Sequence, residues 1–227
     1  MNRDSNTYTI LYASVMVVLV ALLLAFTSES LRSYQKENEA NDKRQQILRA
    51  VNVSVSGAET VKRYNELIKE SFLVNEQGQR VEGDAFTVDA AKMFAENKYP
   101  VFVALVNGKT KYILTMYGAG LWGPIWGYMA VDEDGSLIFG TDFSHQGETP
   151  GLGAEIAYKP FSSQFVGKQL FKNGTFTSVA IVKPGKSVQG KDYVDGISGG
   201  SITCAGVDRM IQHSLERYVQ FLKNSNK

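Results

Sequence analysis

The chain has 227 residues, 44% of them hydrophobic and 21% charged, with a formal net charge of +1. That length holds an anchor and one domain with a sizeable core, and the near-neutral balance lacks the basic footprint of a nucleic-acid binder. The single cysteine, Cys204, excludes an internal disulfide framework or a cysteine metal cage. The two histidines, His145 and His213, lie far apart and argue against a His-rich metal site.

In chain order, residues 1–7 form a short N-terminal tail and 8–28 a hydrophobic helix. Its core, Ile10–Phe26, carries no charge, close to the roughly 20 residues that span a bilayer. It is longer than the apolar core of a cleaved signal peptide, and no clean small-x-small site comes after it. An uncleaved anchor is the expectation, a cleaved signal the alternative. Arg3 and Asp4 precede the span; Arg32, Lys36, Lys43 and Arg44 come after it. The positive-inside count alone keeps the large C-terminal part in the cytoplasm.

Residues 29–55 read as a polar helical stalk and 56–227 as one folded domain. Val61, Tyr64, Leu67, Ile68 and Phe72 fall at helical spacing and predict a helix over Thr60–Phe72. Asn75–Gln79 should end it in a turn. The period then changes. Val101–Val106 and Lys111–Met116 read as a hairpin around Asn107-Gly108. Ile125–Val131 and Leu137–Phe143 read as a second hairpin around Asp134-Gly135, and Thr175–Lys183 as a further strand. Val207, Met210, Ile211, Leu215, Tyr218 and Leu222 give a final helix over Ala205–Leu222 an apolar face. Hairpins flanked by helices predict an α+β fold with a mainly antiparallel sheet.

Three stretches could carry chemistry, and together they hold 10 of the chain's 21 glycines. Tyr117–Gly127 reads Y-G-A-G-L-W-G-P-I-W-G. Its formal G-x-G-x-x-G precedes a strand where a dinucleotide fingerprint requires a helix. The better reading is a glycine-rich loop with exposed Trp122 and Trp126; a tight sheet connection is the plainer one. His145–Ala154 reads H-Q-G-E-T-P-G-L-G-A, a stiff loop that can lie against an aromatic ring, or a surface loop punctuated by Pro and Gly. His145 is either solvated or a proton relay. Asp195–Thr203 reads D-G-I-S-G-G-S-I-T, with Ser201 and Thr203 just before a helix. Free N–H groups and the helix dipole favour an anion there. An open hydroxyl on such a turn suits a covalently attached phosphate group, although a Ser before a helix is commonly only its N-cap.

Together, Y-G-x-G-L-W-G-P-I-x-G, E-T-P-G-L-G-A and D-G-I-S-G-G-S-I-T resemble the C subunit of the sodium-translocating NADH:quinone oxidoreductase. With the N-terminal anchor, the resemblance spans essentially the whole chain. It implies that 56–227 is an FMN-binding domain, with FMN joined through its phosphate to a Ser or Thr hydroxyl by a separate flavin transferase. Aligned on the family's D-x-x-S/T-G-A-T/S pattern, Asp195, Ser198, Gly199 and Gly200 lead to Ser201 as acceptor, with Thr203 the runner-up. Gly200 stands for the usual Ala and Ser201 for the usual Thr. Leu121, Trp122 and Gly123 from one loop, and Glu148, Thr149, Leu152 and Gly153 from the other, are expected to border the flavin.

The implied role is electron transfer within a sodium-pumping translocase that reduces ubiquinone from NADH, incomplete without the A, B, D, E and F subunits. The implied site is the cell inner membrane, single-pass, with a periplasmic domain; long domains translocate largely regardless of charge. The G subunit of the related Rnf complex shares the flavin chemistry. A membrane-tethered binding or assembly module without redox function is the alternative from another class. A hydrolase lacks any recognisable nucleophile motif.

Overall fold

The computed structural model describes residues 6–225. Arg3 and Asp4, and most of the expected 1–7 tail, lie outside them. The chain forms two compact units, Met1–Lys43 and Arg44–Lys227.

Helix α1 covers Asn6–Ala50. In the first unit its apolar side chains are exposed along the uncharged stretch, and the helix is long and apolar enough to cross a membrane. Thr27 and Ser30 return their hydroxyls to the carbonyls of Leu23 and Phe26, each at 2.8 Å. Neither hydroxyl is therefore unsatisfied within the helix.

The second unit is built on a six-stranded sheet in the order β2-β1-β3-β4-β5-β6. The strands are β1 (Ile68–Val74), β2 (Arg80–Val81), β3 (Tyr99–Val106), β4 (Lys109–Ala119), β5 (Pro124–Asp132) and β6 (Ile138–His145). Every pairing is antiparallel. The Asn107-Gly108 turn has positive φ at both residues, 51° and 75°, as a tight hairpin requires. Alternation along the strands sorts side chains to the two faces. Val101, Leu114, Met116, Met129 and Val131 enter one core with Val207, Met210, Ile211 and Leu215. Phe102, Ile113, Tyr128 and Ala130 enter the other, with Ile47, Ala50 and Val51.

That second core corrects one boundary. The expected stalk runs to residue 55 and the domain starts at 56, yet the compact unit begins at Arg44. Ile47, Leu48, Ala50 and Val51 are completely or almost completely buried, so the last turns of α1 belong to the domain. Gln46 and Arg49 look polar in sequence but face strand partners: Trp126 Nε1–H donates to Gln46 Oε1 at 2.9 Å, and Arg49 pairs with Asp142.

Other elements differ from expectation. The helix expected over Thr60–Phe72 stops at Leu67 as α2 (Glu59–Leu67), and β1 starts at once. Pairing of Phe72 with Val101 on β3 overrides the local helical spacing. Thr175–Lys183 is broken into β8 (Thr175–Phe176) and β9 (Val179–Val182) by Ser178, whose φ is 59°. β8 closes a two-stranded hairpin with β7 (Phe171–Lys172), and β9 pairs in parallel with β10 (Asp192–Asp195), a strand absent from the expectation. The short helices α3 (Met93–Glu96) and α4 (Lys159–Ser162) complete the middle of the chain. The final helix is two pieces, α5 (Ser201–Glu216) and α6 (Val219–Ser225). Tyr218 at their junction is fully buried and donates to the carbonyls of Pro100 and Thr115.

α5 lies hard against the end of β4. A Cβ on Gly206 would collide with the Ala119 carbonyl, and one on Gly118 would come within 2.7 Å of Met210 Cβ. This close approach brings the start of α5 beside the β4–β5 loop.

Candidate functional site

The three glycine-rich stretches meet at one cleft of about 250 Å³, lined by Leu121, Glu148, Thr149, Leu152, Gly153 and the turn Gly199–Thr203. The first loop is the short β4–β5 connection, pinched by a Gly120 N–H to Gly123 carbonyl bond of 2.8 Å. In the second, the N–H groups of Leu152 and Ala154 both reach the Thr149 carbonyl at 3.1 Å, and Gly151 takes φ 75°. A 3₁₀ turn, Gly153–Ala157, comes next. The third leaves β10, turns at Gly199 (φ 77°) and enters α5.

α5 begins at Ser201, with Gly200 as its N-cap and no side-chain cap. Ser201 and Thr203 are therefore in the first turn, where the sequence alone puts them ahead of the helix. Their environments are opposite. Ser201 is exposed, whereas Thr203 is 2% exposed. Thr203 Oγ1 donates to Glu148 Oε2 at 2.5 Å. The leading N–H groups of a helix lack intrahelical acceptors, so an uncapped start presents donors and a partial positive charge to an anion.

Glu148 ties the three loops together. Oε1 accepts the N–H groups of Leu121 at 2.8 Å and Trp122 at 2.9 Å, while Oε2 takes the Thr203 hydroxyl. Glycines make the room: a Cβ on Gly120 would collide with Oε1, and one on Gly153 with Oε2 and Thr203 Oγ1. The carboxylate is 4% exposed. Burial alone raises its pKa, but the Thr203 hydroxyl and the Trp122 and Leu121 N–H groups outweigh that, with His145 adding to them. The net result holds Glu148 below the usual carboxylate range.

Residues 120–216 match the family model described as FMN-binding domain. The crystal structure of the Na(+)-translocating NADH-quinone reductase C subunit from Parabacteroides distasonis is 64% identical, with a TM-score of 0.83 over 85% of this chain and 96% of that one. The same subunit of Haemophilus ducreyi is 30% identical, covering 93% of this chain and 90% of that protein. The chain belongs to the C-subunit family of Na(+)-translocating NADH-quinone reductases. The crystal structure of NqrC from Shewanella oneidensis matches with a TM-score of 0.69 at 27% identity, over 83% of this chain and 98% of that one.

Within this NqrC-like fold, most of the residues singled out in the sequence line the cleft, and some do not. Trp122 is 69% exposed and is absent from the cleft lining, and its backbone N–H donates to Glu148 Oε1 at 2.9 Å. Gly123 faces Gln146. Ser198 is exposed on the turn, outside the lining. Asp195 ends β10, and its N–H and carbonyl are held by the Gln164 side chain at 2.9 and 3.2 Å. Trp126, expected as an exposed loop aromatic, is half-buried in β5. His145 accepts the Glu148 N–H on Nδ1 at 3.2 Å, and His213 packs 4.5 Å from the Phe94 ring. Sequence reasoning missed Ile202, an exposed apolar member of the lining, and the space-making role of Gly120. An apolar residue between two hydroxyls in a glycine-rich turn was the available signal for the first.

The depressed pKa of Glu148 carries a stability prediction. A carboxylate with a lowered folded value stabilises above its unfolded value and loses that contribution as pH falls through the folded one. Glu148→Gln is expected to cost about 1–3 kcal/mol at neutral pH, the scale of hydrogen bonds to a charged group. Urea unfolding of the detergent-solubilised chain should show this gap constant at neutral pH and closing below the ordinary carboxylate range. A gap still unchanged at pH values below that range would remove the electrostatic account.

Proposed function

We propose that the chain is the electron-transfer subunit of a sodium-pumping NADH:quinone oxidoreductase and carries FMN as a phosphoester on Ser201. One observation carries the reading: Ser201 is the open hydroxyl of the first turn of an uncapped helix, at the cleft that all three loops line. Thr203, its rival, is buried and already engaged by Glu148.

The residues present suit the group. A cleft of about 250 Å³ is smaller than the roughly 300–1,000 Å³ of sites that engulf a ligand, so part of the ring stays in reach of a partner. FMN, when bound, supplies the one- and two-electron chemistry. The chain's own groups hold and orient it. On loading by the transferase, Ser201 Oγ would lose its proton and bond the FMN phosphorus while the donor's leaving group departs from that phosphorus, giving a phosphodiester with one negative charge. The α5 N-terminus stabilises that charge by about 0.3–1 kcal/mol, more where it is partly buried. Leu121, Leu152 and Ile202 offer apolar surface, and the Thr149 hydroxyl offers a polar contact to a ring heteroatom. Gly199, Gly200 and Gly153 let the main chain come close. Covalent attachment keeps an exposed cofactor from dissociating.

In this reading the anchor is uncleaved and single-pass in the cell inner membrane, with the domain in the periplasm. The periplasmic side runs against Arg32, Lys36, Lys43 and Arg44, but long domains translocate largely regardless of such charges. The partners are the A, B, D, E and F subunits and the flavin transferase that loads the hydroxyl.

Protein purified from cells containing the transferase should stay yellow after acid denaturation and gain the mass of one FMN phosphoester. A colourless chain at its sequence mass would favour a tethered module without redox function.

A further inference from the structure

We propose that the ionised carboxylate of Glu148, fixed in the lining of the cleft, lowers the midpoint potential of the flavin. The inference rests on the proposed function, in which FMN occupies this cleft.

Elsewhere in the domain several carboxylates are paired with a cation, whereas Asp208 accepts the Ile181 N–H at 2.8 Å and forms no ion pair among the described residues. Arg49 pairs with Asp142, Lys111 with Asp132, Arg217 with Glu76 and Arg80 with Glu70. Glu148 is more buried than most of these, yet its partners are uncharged donors: two backbone N–H groups and one hydroxyl. Among the described residues no Lys or Arg forms an ion pair with it. His145 is the ionisable neighbour whose field reaches it, and that ring accepts the Glu148 N–H on Nδ1. The charge is thus solvated mainly by fixed dipoles, with no Lys or Arg ion pair among the described residues and the His145 ring as its ionisable neighbour, on a wall of the cleft.

Two glycines, one from each loop, are needed to leave space for its two oxygens. A carboxylate serving only to tie loops could be neutral or cation-paired. This one has almost no exposed surface of its own, so its field is screened less than that of a fully solvated side chain. An anion beside a ring that gains electrons disfavours the reduced form. At neutral pH Glu148 itself exchanges neither electron nor proton: reduction brings electrons from the donor and protons from water.

The test is a redox titration of the full-length, flavin-loaded chain in detergent, read by flavin absorbance at neutral pH. Glu148→Gln keeps the shape and one acceptor oxygen. Its two-electron midpoint should rise, with the reduction equilibrium shifted at least tenfold, about 30 mV for this couple. Asp208→Asn removes a carboxylate outside the cleft lining, one that accepts the Ile181 N–H at 2.8 Å, so its equilibrium should stay within about threefold of the parent. A flavin-loaded Glu148→Gln chain with the parent midpoint overturns the proposal, as do equal shifts in both variants, which would mark an effect not specific to the cleft.

Should Glu148→Gln fail to accumulate, the parent alone suffices. Coupling is reciprocal, so reduction must raise the Glu148 carboxyl pKa by the same factor, about one pH unit. Redox-difference infrared spectra of glutamate-labelled protein across the acid range read that shift directly, and its absence overturns the proposal. A colourless parent overturns the flavin reading and this inference with it; a yellow parent without either shift overturns this inference alone.

Discussion

Ser201→Ala, co-expressed with the flavin transferase, is expected to give a folded chain with no fluorescent band on a denaturing gel, a complete loss of bound flavin. The substitution sits at an exposed first-turn position. Gly200, not Ser201, is the N-cap residue of α5, so alanine at Ser201 costs the helix little. Thr203→Ala should do the reverse. Its hydroxyl lies under the surface on Glu148, so removal costs stability by roughly 1–3 kcal/mol, the scale of a lost hydrogen bond to a charged group, while the band stays as bright as the parent's. A Ser201→Ala band of parental brightness would move the ester elsewhere. The two variants together separate attachment from folding, because each is expected to disturb only one of them.

The two hydroxyls also show where reading the sequence stops. Ser201 and Thr203 are two residues apart in one motif, and nothing local tells them apart in exposure. The difference comes from Glu148, which is 55 residues from Thr203 in sequence and reaches it only because α5 packs against β4. Short-range signals were the legible ones: the hairpins at Asn107-Gly108 and Asp134-Gly135 and the apolar face of α5. Pairing at long range decided what local spacing could not. Ile68–Val74 carries apolar residues that suit a helix, but its neighbour in space is β3. Gln164, whose side chain pins the backbone of Asp195, carries no motif at all. Asp195 opens the family pattern, yet the side chain that counts at that point in the fold belongs to another segment.

The end of α1 illustrates the same limit and carries the other large expected effect. Arg49 reads as one more charge on a polar stalk. In the fold its Nε–H donates to Asp142 Oδ1 at 2.7 Å and its terminal amino group to Oδ2 at 2.9 Å, a bidentate pair. The Asp142 side chain is 8% exposed, against 38% for Arg49. Burial pushes the Asp142 carboxyl above its usual range, and the Arg49 hydrogen bonds and charge pull it back only in part. Arg49→Met keeps the aliphatic stem and removes the charge, leaving a buried carboxylate without its partner. Losing one member of a buried pair costs about 3–5 kcal/mol; Arg49 is partly exposed, so about 2–4 kcal/mol is expected here. The cost should shrink as pH falls. Without the guanidinium the folded-state pKa of Asp142 rises further, and that group takes up a proton in place, which relieves the penalty. Urea unfolding of the full-length chain in detergent at neutral and acid pH reads both effects. Adding Asp142→Asn should recover part of the loss, because the neutral amide needs no cation. A loss that ignored pH and was not relieved by Asp142→Asn would assign Arg49 to packing alone. The expected result would instead make the last turns of α1 a charged clasp on β6, the strand that leads through His145 to the Glu148 loop.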